Sequence, residues 1–371
     1  MYLDYAATTP LKPKVKEYII SLLDNFYNPS SLYTNGQTAK EFVQWARCSV
    51  ADFIHSNPDN IIFTSGGSAS NTLAIKGWYE KNGGEILYSP ISHKSVLKCA
   101  ESIPDSISLK VDKEGFIDIE DLTEKLQEND KKKLVIIDYA NSEIGTIQDV
   151  KTLVDVAHTN KALIYFDCTG SISQIPVNVK KLNVDMIGFS AHKLGALKGC
   201  GVLYKKENID LAPLIFGAQE QGLFGGTENI IGIGSLGEAV WHYDYSSITS
   251  ANRDYVWEFC KENIPDCYLV GSKDKRLPHN LYICFKGVEG ESLMILLDMK
   301  DIQVATGSAC NSRSLTPSTT LLSIELPKED LHSCIRITFS GDETQEELDE
   351  FRKKLKYSVE ALRKVSGWSR Q

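Results

Sequence analysis

LVIIDYA at 134–140, ALIYFD at 162–167, DMIGFS at 185–190 and GVLYK at 201–205 decide the fold of this chain. Each run is apolar almost without interruption and rich in β-branched or aromatic residues, so each reads as a strand buried on both faces. A helical stretch near 151–160 separates the first two. The rhythm extends upstream through IIFT at 61–64, a helix from about 71, EILYS at 85–89 and a helix from about 95. Further back, residues 37–56 space Ala39, Phe42, Val43, Ala46, Val50, Phe53 and Ile54 along one helical face, which Asn57-Pro58 ends. Strands alternating with helices predict an α/β protein on a mainly parallel sheet covered on both faces. Ligands of such sheets collect beyond the carboxyl ends of the strands, which is where chemistry is sought. Past about residue 245 the rhythm changes to charged helices with NLYICF at 280–285, SCIRITF at 333–339 and a final helix TQEELDEFRKKLKYSVEALRK. This region reads as a smaller α+β domain closing over the first, with no long linker between them.

With 371 residues the chain exceeds the roughly 250–300 at which single cores stop growing, in keeping with two packed domains. A formal charge of -9 disfavours non-specific binding to nucleic acid or to anionic membrane, since both reward excess Lys and Arg. No apolar run approaches the ~20 residues a membrane-spanning helix needs. Asp4 stands where a signal peptide requires an apolar stretch, so a cytoplasmic location is expected. The nine cysteines include no C-x-x-C pair, which argues for reduced thiols rather than a zinc ribbon or a disulfide framework.

Five features carry possible chemistry. FTSGGSASNTLAI runs from a strand through Ser65, Gly66, Gly67 and Ser68 into a helix, whose unpaired N–H groups could hold a phosphate; a plain capped turn is the competing reading. Asp167 ends ALIYFD at the crevice, where an acid can pair with the protonated nitrogen of a pyridine cofactor, and Asp138 ends an equivalent strand and competes for that role. In DMIGFSAHKLGALKGCGVLY, Ser190, His192 and Lys193 follow a strand directly, and a partly desolvated lysine there suits Schiff-base chemistry. In QVATGSACNSRSLTPS, Cys310 follows Thr306, Gly307, Ser308 and Ala309, small and polar surroundings unlike those of a core cysteine. Arg336, inside the apolar run CIRITF, is the kind of buried arginine that forks a carboxylate, either a ligand's or a structural partner's.

Taken together, the chain resembles the cysteine desulfurases, the NifS/IscS-like members of the class V aminotransferase family. The resemblance is carried by LDYAATTP at 3–10, NPSS at 28–31, FTSGGSASNTLAIKG, SHKSV at 92–96, NSEIGTIQD at 141–149, FDCTGS at 166–171, SAHK at 190–193, GGTEN at 225–229, EGESL at 289–293, TGSAC at 306–310 and IRITF at 335–339. It implies fold type I of the pyridoxal-phosphate enzymes, with a mainly parallel seven-stranded sheet. The large domain would span 13–245, and a small α+β domain made of 1–12 with 246–371 would carry the Cys310 loop. It further implies that pyridoxal 5'-phosphate is carried on Lys193, which would also move the Cα proton of the substrate. His93 would stack on the ring, Asp167 hold its nitrogen, and Asn141 lie near the ring oxygen and the substrate. Gly67, Ser68, Ser190 and His192 would bind the phosphate, with Thr227 reaching it from a second subunit of a homodimer. Arg336 would grip the carboxylate of L-cysteine, and Cys310 would take its sulfur as a persulfide, releasing alanine. The persulfide sulfur would then pass to an acceptor protein, such as a scaffold for iron-sulfur assembly or a tRNA-thiolation enzyme.

Several positions depart from that family's pattern around the cofactor. Gly170 stands where FD-x-T is usually followed by Gln, Ala69 replaces a common acidic residue, Phe224 falls where an arginine is usual, and Tyr33 falls where a histidine is usual. Two alternatives follow. One is a different pyridoxal-phosphate reaction, such as selenocysteine cleavage, β-elimination or transamination, the last of which needs no thiol. The other is a catalytically weakened sulfur-relay or iron-sulfur scaffold, against which stand the retained Lys193, Asp167, His93, Asn141 and Cys310.

Overall fold

A computed structural model describes residues 1–307 and 317–366. Its large sheet has seven strands: β1 (Ile61–Thr64), β2 (Glu85–Tyr88), β3 (Ser106–Ser108), β4 (Lys133–Asp138), β5 (Leu163–Asp167), β6 (Met186–Ser190) and β7 (Gly201–Lys205). The order across it is β1-β7-β6-β5-β4-β2-β3. Strands β6, β5, β4, β2 and β3 run parallel, and β7 pairs antiparallel with both β6 and β1. The sheet is therefore mixed, with the parallel block running from β6 to the edge strand β3 and β7 alone reversed. Every residue of β4 is buried, as is all of β5 after Leu163, which is why these runs show no alternation of polar and apolar residues.

Helices α1 (Pro13–Leu22), α2 (Thr34–Phe53), α3 (Gly67–Asn82), α4 (Lys94–Glu101), α5 (Ile119–Gln127), α6 (Val150–Thr159), α7 (Val179–Leu182) and α8 (Ile230–Trp241) accompany this sheet. Two buried cores lie on its two faces, one with Val43, Val50, Phe63, Val135 and Phe166, the other with Ile62, Leu73, Trp78, Ile136 and Tyr165. Helix α2 packs on α8 so closely that a Cβ on Gly237 would lie 2.7 Å from Cβ of Ala46. The expected helix over 37–56 lies at 34–53, ending where His55 turns to a left-handed φ of 59° before Asn57-Pro58. The helix expected from about 71 begins at Gly67, one turn earlier, because the glycine pair opens it directly from β1.

A second sheet of three antiparallel strands, β8 (Cys267–Leu269), β9 (Asn280–Phe285) and β10 (Cys334–Thr338), has the order β10-β9-β8. It is covered by α9 (Ala251–Asn263), α10 (Gly290–Asp298) and α12 (Gln345–Ser366), with α11 (Thr319–Ser323) nearby, around Ile283, Leu293, Ile335, Phe351 and Leu355. Leu3 is fully buried in this same core, and isolated bridges join Tyr2 to Gln303 and Asp4 to Thr338. No helix among the described residues is long and apolar enough to cross a membrane.

The turn from β1 into α3 depends on glycine twice. Gly66 adopts φ 152° and ψ 175°, and a Cβ on Gly201 of the adjacent β7 would sit 2.5 Å from the Gly66 carbonyl carbon. An added methyl must push backbone, not a side-chain tip. Gly201→Ala is therefore expected to lower stability by about 1–3 kcal/mol, read as a fall in the denaturation midpoint against wild type.

Candidate active site

The parallel strands β4, β5 and β6 deliver Asp138, Asp167 and Ser190 to one edge of the sheet, all of them buried. Asp167 has both oxygens oriented by N–H donors. Asn71 Nδ2 donates to Oδ2 at 2.7 Å and the Thr169 backbone N–H donates to Oδ1 at 2.8 Å. Asn71 is itself buried on α3, and its Oδ1 accepts the Tyr165 hydroxyl, whose pKa burial raises well above the ordinary value. The same Nδ2 approaches Ser95 Oγ at 2.9 Å, and Ser95 Oγ pairs with His93 Nδ1 at 2.7 Å. A polar chain thus runs from β5 through α3 to His93, the N-cap of α4, whose ring is exposed toward solvent.

On the other side of Asp167, a Cβ on Gly67 would meet Thr169 Oγ1 at 2.8 Å and Ser190 Cβ at 3.5 Å. Thr169 Oγ1 is buried and has no partner among the described residues. The first turn of α3, with Gly67 and exposed Ser68, therefore forms an open cradle of N–H groups beside Ser190. His192 follows on the same edge, its Nδ1 paired with Thr8 Oγ1 at 3.0 Å. Burial, with Lys193 and Lys198 adding to it, lowers the His192 pKa to about 4, so the ring is neutral near pH 7 and keeps Nε2 for a ligand.

Gly170 has a structural explanation. A Cβ there would lie 2.9 Å from Ser142 Cβ and 3.2 Å from the Ala140 carbonyl oxygen, so no larger side chain fits without moving that loop. Phe224 is partly buried against the core that holds Ile62 and Trp78, and Tyr33 packs edge-on against Tyr27 at 6.4 Å. Beyond Ser142, whose carbonyl accepts Arg336 Nη1 at 3.2 Å, the guanidinium pairs with Asp4 at 2.8 Å. The ion pair foreseen as one reading of Arg336 is thus present, and Nε alone lacks a partner among the described residues.

The remaining candidates are placed as follows. Lys193, on the single turn after β6, donates its ammonium to the carbonyls of Ala6 and Ala7, lining a cavity of about 270 Å³ with Tyr5, Gln174 and His279. Asn141 commits its amide to the backbone, donating to Ile91 O at 2.7 Å and accepting from the N–H groups of Glu143 and Ile144, both at 2.9 Å. Thr227 is exposed and lies in a separate cavity with Ser65, Gly199 and Phe224. Cys310 lies outside the described residues. Gly307, before it, abuts Glu143 and Tyr282, while Ser318, after it, donates to Glu143 Oε2 at 2.8 Å. Burial raises the pKa of Glu143.

Sequence reasoning passed over Asn71, Ser95, Thr169 and Glu143. The one available signal was the polar Asn71 four residues after Gly67, on a helix otherwise rich in small and apolar side chains.

The pattern of the aminotransferase class-V family matches residues 1–351. A cysteine desulfurase IscS of Dictyoglomus turgidum is 38% identical over 386 residues, covering 100% of this chain and 97% of that protein. A second, from Methanosarcina thermophila, is 36% identical and covers 99% of this chain and 93% of its own length. Among solved structures, a NifS-like protein from Rickettsia africae superposes with a TM-score of 0.89 at 29% identity, covering 97% of this chain and 99% of that one. The SspA structure in complex with cysteine gives a TM-score of 0.81 at 31% identity over 92% of this chain and 99% of that one.

Asn71→Leu keeps much of the volume but removes the donor to Asp167 and the acceptor for Tyr165. It is expected to lower stability by about 1–3 kcal/mol in urea unfolding, with Asn71→Asp no better, since it sets a second acid against Asp167.

Proposed function

Because the chain belongs to the aminotransferase class-V family and is a pyridoxal-phosphate-dependent cysteine desulfurase, we propose that it works at the ends of β4–β6, with Lys193, Asp167 and His93 serving the cofactor and Cys310 accepting the sulfur. The observation that carries this reading is Asp167, a buried carboxylate with both oxygens oriented and with a hydrogen-bonded path to His93. The residues fit the cofactor. Thr169 Oγ1 is an orphaned polar atom beside a cradle that a Gly67 Cβ would fill, and Ser190 and His192 stand next to it.

Bound pyridoxal phosphate supplies an electron sink for the bonds at the substrate Cα. Asp167 would hold the proton of the ring nitrogen, and the His93 ring, fixed through Ser95, would face the cofactor. The first turn of α3 favours a dianionic phosphate through its N–H groups and dipole, and neutral His192 adds a hydrogen bond from Nε2. Lys193 would hold the cofactor, and its amine, once free, would move the Cα proton. Arg336 takes the substrate carboxylate in competition with Asp4, which holds its Nη2 in the resting chain. The Cys310 thiolate attacks the substrate sulfur: an S–S bond forms, the C–S bond breaks, and the carbon keeps the electron pair and is protonated to give alanine.

Thr227 supports a dimeric working unit, since it is exposed on its own chain. Phe216, on the same loop, is 87% exposed, and Phe26 and Leu32 are 81% and 93% exposed. A persulfide-bearing thiol and a reduced acceptor protein suit a reducing compartment, which favours a cytoplasmic setting.

With added pyridoxal phosphate, L-cysteine and a reductant, wild type is expected to give equal amounts of alanine and sulfide, and Cys310→Ser neither. Pyruvate and ammonia in place of alanine, or full activity in the variant, would overturn the role of the thiol. Leu32→Asp combined with Phe216→Asp is expected to shift the molar mass in light scattering from two chains toward one; an unchanged mass would refute a place for these two side chains in the dimer contact.

A further inference from the structure

Asp138 has no part in the reaction described above, yet it is buried at the edge of the same site. Strands β4 and β5 are parallel and pair Asp138 directly with Asp167, so the two side chains leave the sheet on one face, about 5 Å apart at their origins. The titratable groups facing Asp138 are Asp167 and Tyr165 on β5, Cys168 just after it, and His93 at the start of α4, and none is a lysine or arginine. The two acids differ in their bonding. Both oxygens of Asp167 accept N–H bonds. Asp138 lies beside the Ser92 hydroxyl and the His93 backbone N–H, and its Oδ1 makes no hydrogen bond among the described residues. Two carboxylates this close, without a permanent cation between them, cannot both be charged cheaply.

We propose that Asp138 is a positioning residue that carries the proton of this carboxyl pair, anchoring the turn that bears His93 and leaving a single negative charge, on Asp167, at the ring end of the site. This rests on Asp167 and His93 being the cofactor's partners. Burial, reinforced by the charge of Asp167, pushes Asp138 up to about 8, in agreement with a neutral acid near pH 7. The sign of the pH effect follows. An acid raised in the folded state costs stability progressively as pH climbs from its unfolded value, near 4, to its folded value. Above about pH 8 ionisation adds a second negative charge to the carboxyl pair, beside the turn that bears His93.

The test uses protein freed of cofactor, with infrared difference spectra between about pH 6 and about pH 10. Wild type is expected to lose a protonated-carboxyl C=O band on this rise, and Asp138→Asn to lack that band while unfolding at a higher temperature than wild type by a margin that grows with pH. The His93 ring resonance should stay in place in Asp138→Asn, which still accepts from the N–H, and move in Asp138→Leu, which cannot. A band that survives in Asp138→Asn would assign the proton elsewhere, and a His93 resonance unmoved in both variants would end the positioning role. Neither readout needs turnover, so failure to form alanine from cysteine would strike the proposed site roles and leave these results to be judged separately.

Discussion

Two acids leave adjacent parallel strands into a buried space, and the packing around them answers to that constraint. Asp167 is satisfied by an amide on α3 and by its own following backbone, which sets the first turns of α3 beside the end of β5 while the rest of the helix packs on the sheet face. That placement leaves room for no side chain at Gly67, where a Cβ would meet Thr169. It also buries Tyr165 under α3, where its hydroxyl finds Asn71. The hydrogen bonds matter more for being buried, since an unpaired carboxylate here would be paid in several kcal/mol of desolvation.

The first nine residues tie the two sheets together. Leu3 enters the core of the small sheet, Asp4 pairs with Arg336, the Ala6 and Ala7 carbonyls receive Lys193, and Thr8 and Thr9 meet His192. One strap therefore touches both the turn that carries Lys193 and the strand that carries Arg336. Displacement of Lys193 from those carbonyls and competition between Asp4 and an incoming carboxylate for Arg336 would be felt along the same few residues.

Five of the described cysteines, Cys168, Cys200, Cys260, Cys284 and Cys334, are buried as core material. Burial pushes Cys200 up to about 12 and Cys168 well above the ordinary thiol range, where neither is a nucleophile at neutral pH. The segment of Cys310 is bracketed by contacts of a different kind, with Gly307 and Ser318 both set against the buried Glu143, which Tyr282 also donates to at 3.0 Å. A carboxyl from the loop after β4 thus meets the described residues on both sides of the segment that holds Cys310.

What the sequence by itself determined was the layered fold and the kinds of group at its edge. Continuously apolar runs can be satisfied only inside a covered sheet, so the strands near 134, 163, 186 and 201 were legible from composition alone. Asp167, Lys193, His192 and the Gly66-Gly67 turn were legible as strand-end chemistry for the same reason. The antiparallel pairing of β7 was not, since a buried strand looks the same in either direction. Nor could position separate Asp138 from Asp167, because both end equivalent strands. Their different surroundings belong to the tertiary structure, which places Asn71 against Asp167 and the His93 turn against Asp138. Hydrogen-bond partners brought together from 96 residues away, as Asn71 and Asp167 are, leave no periodic trace in the chain, because nothing local depends on them until the sheet and α3 have packed.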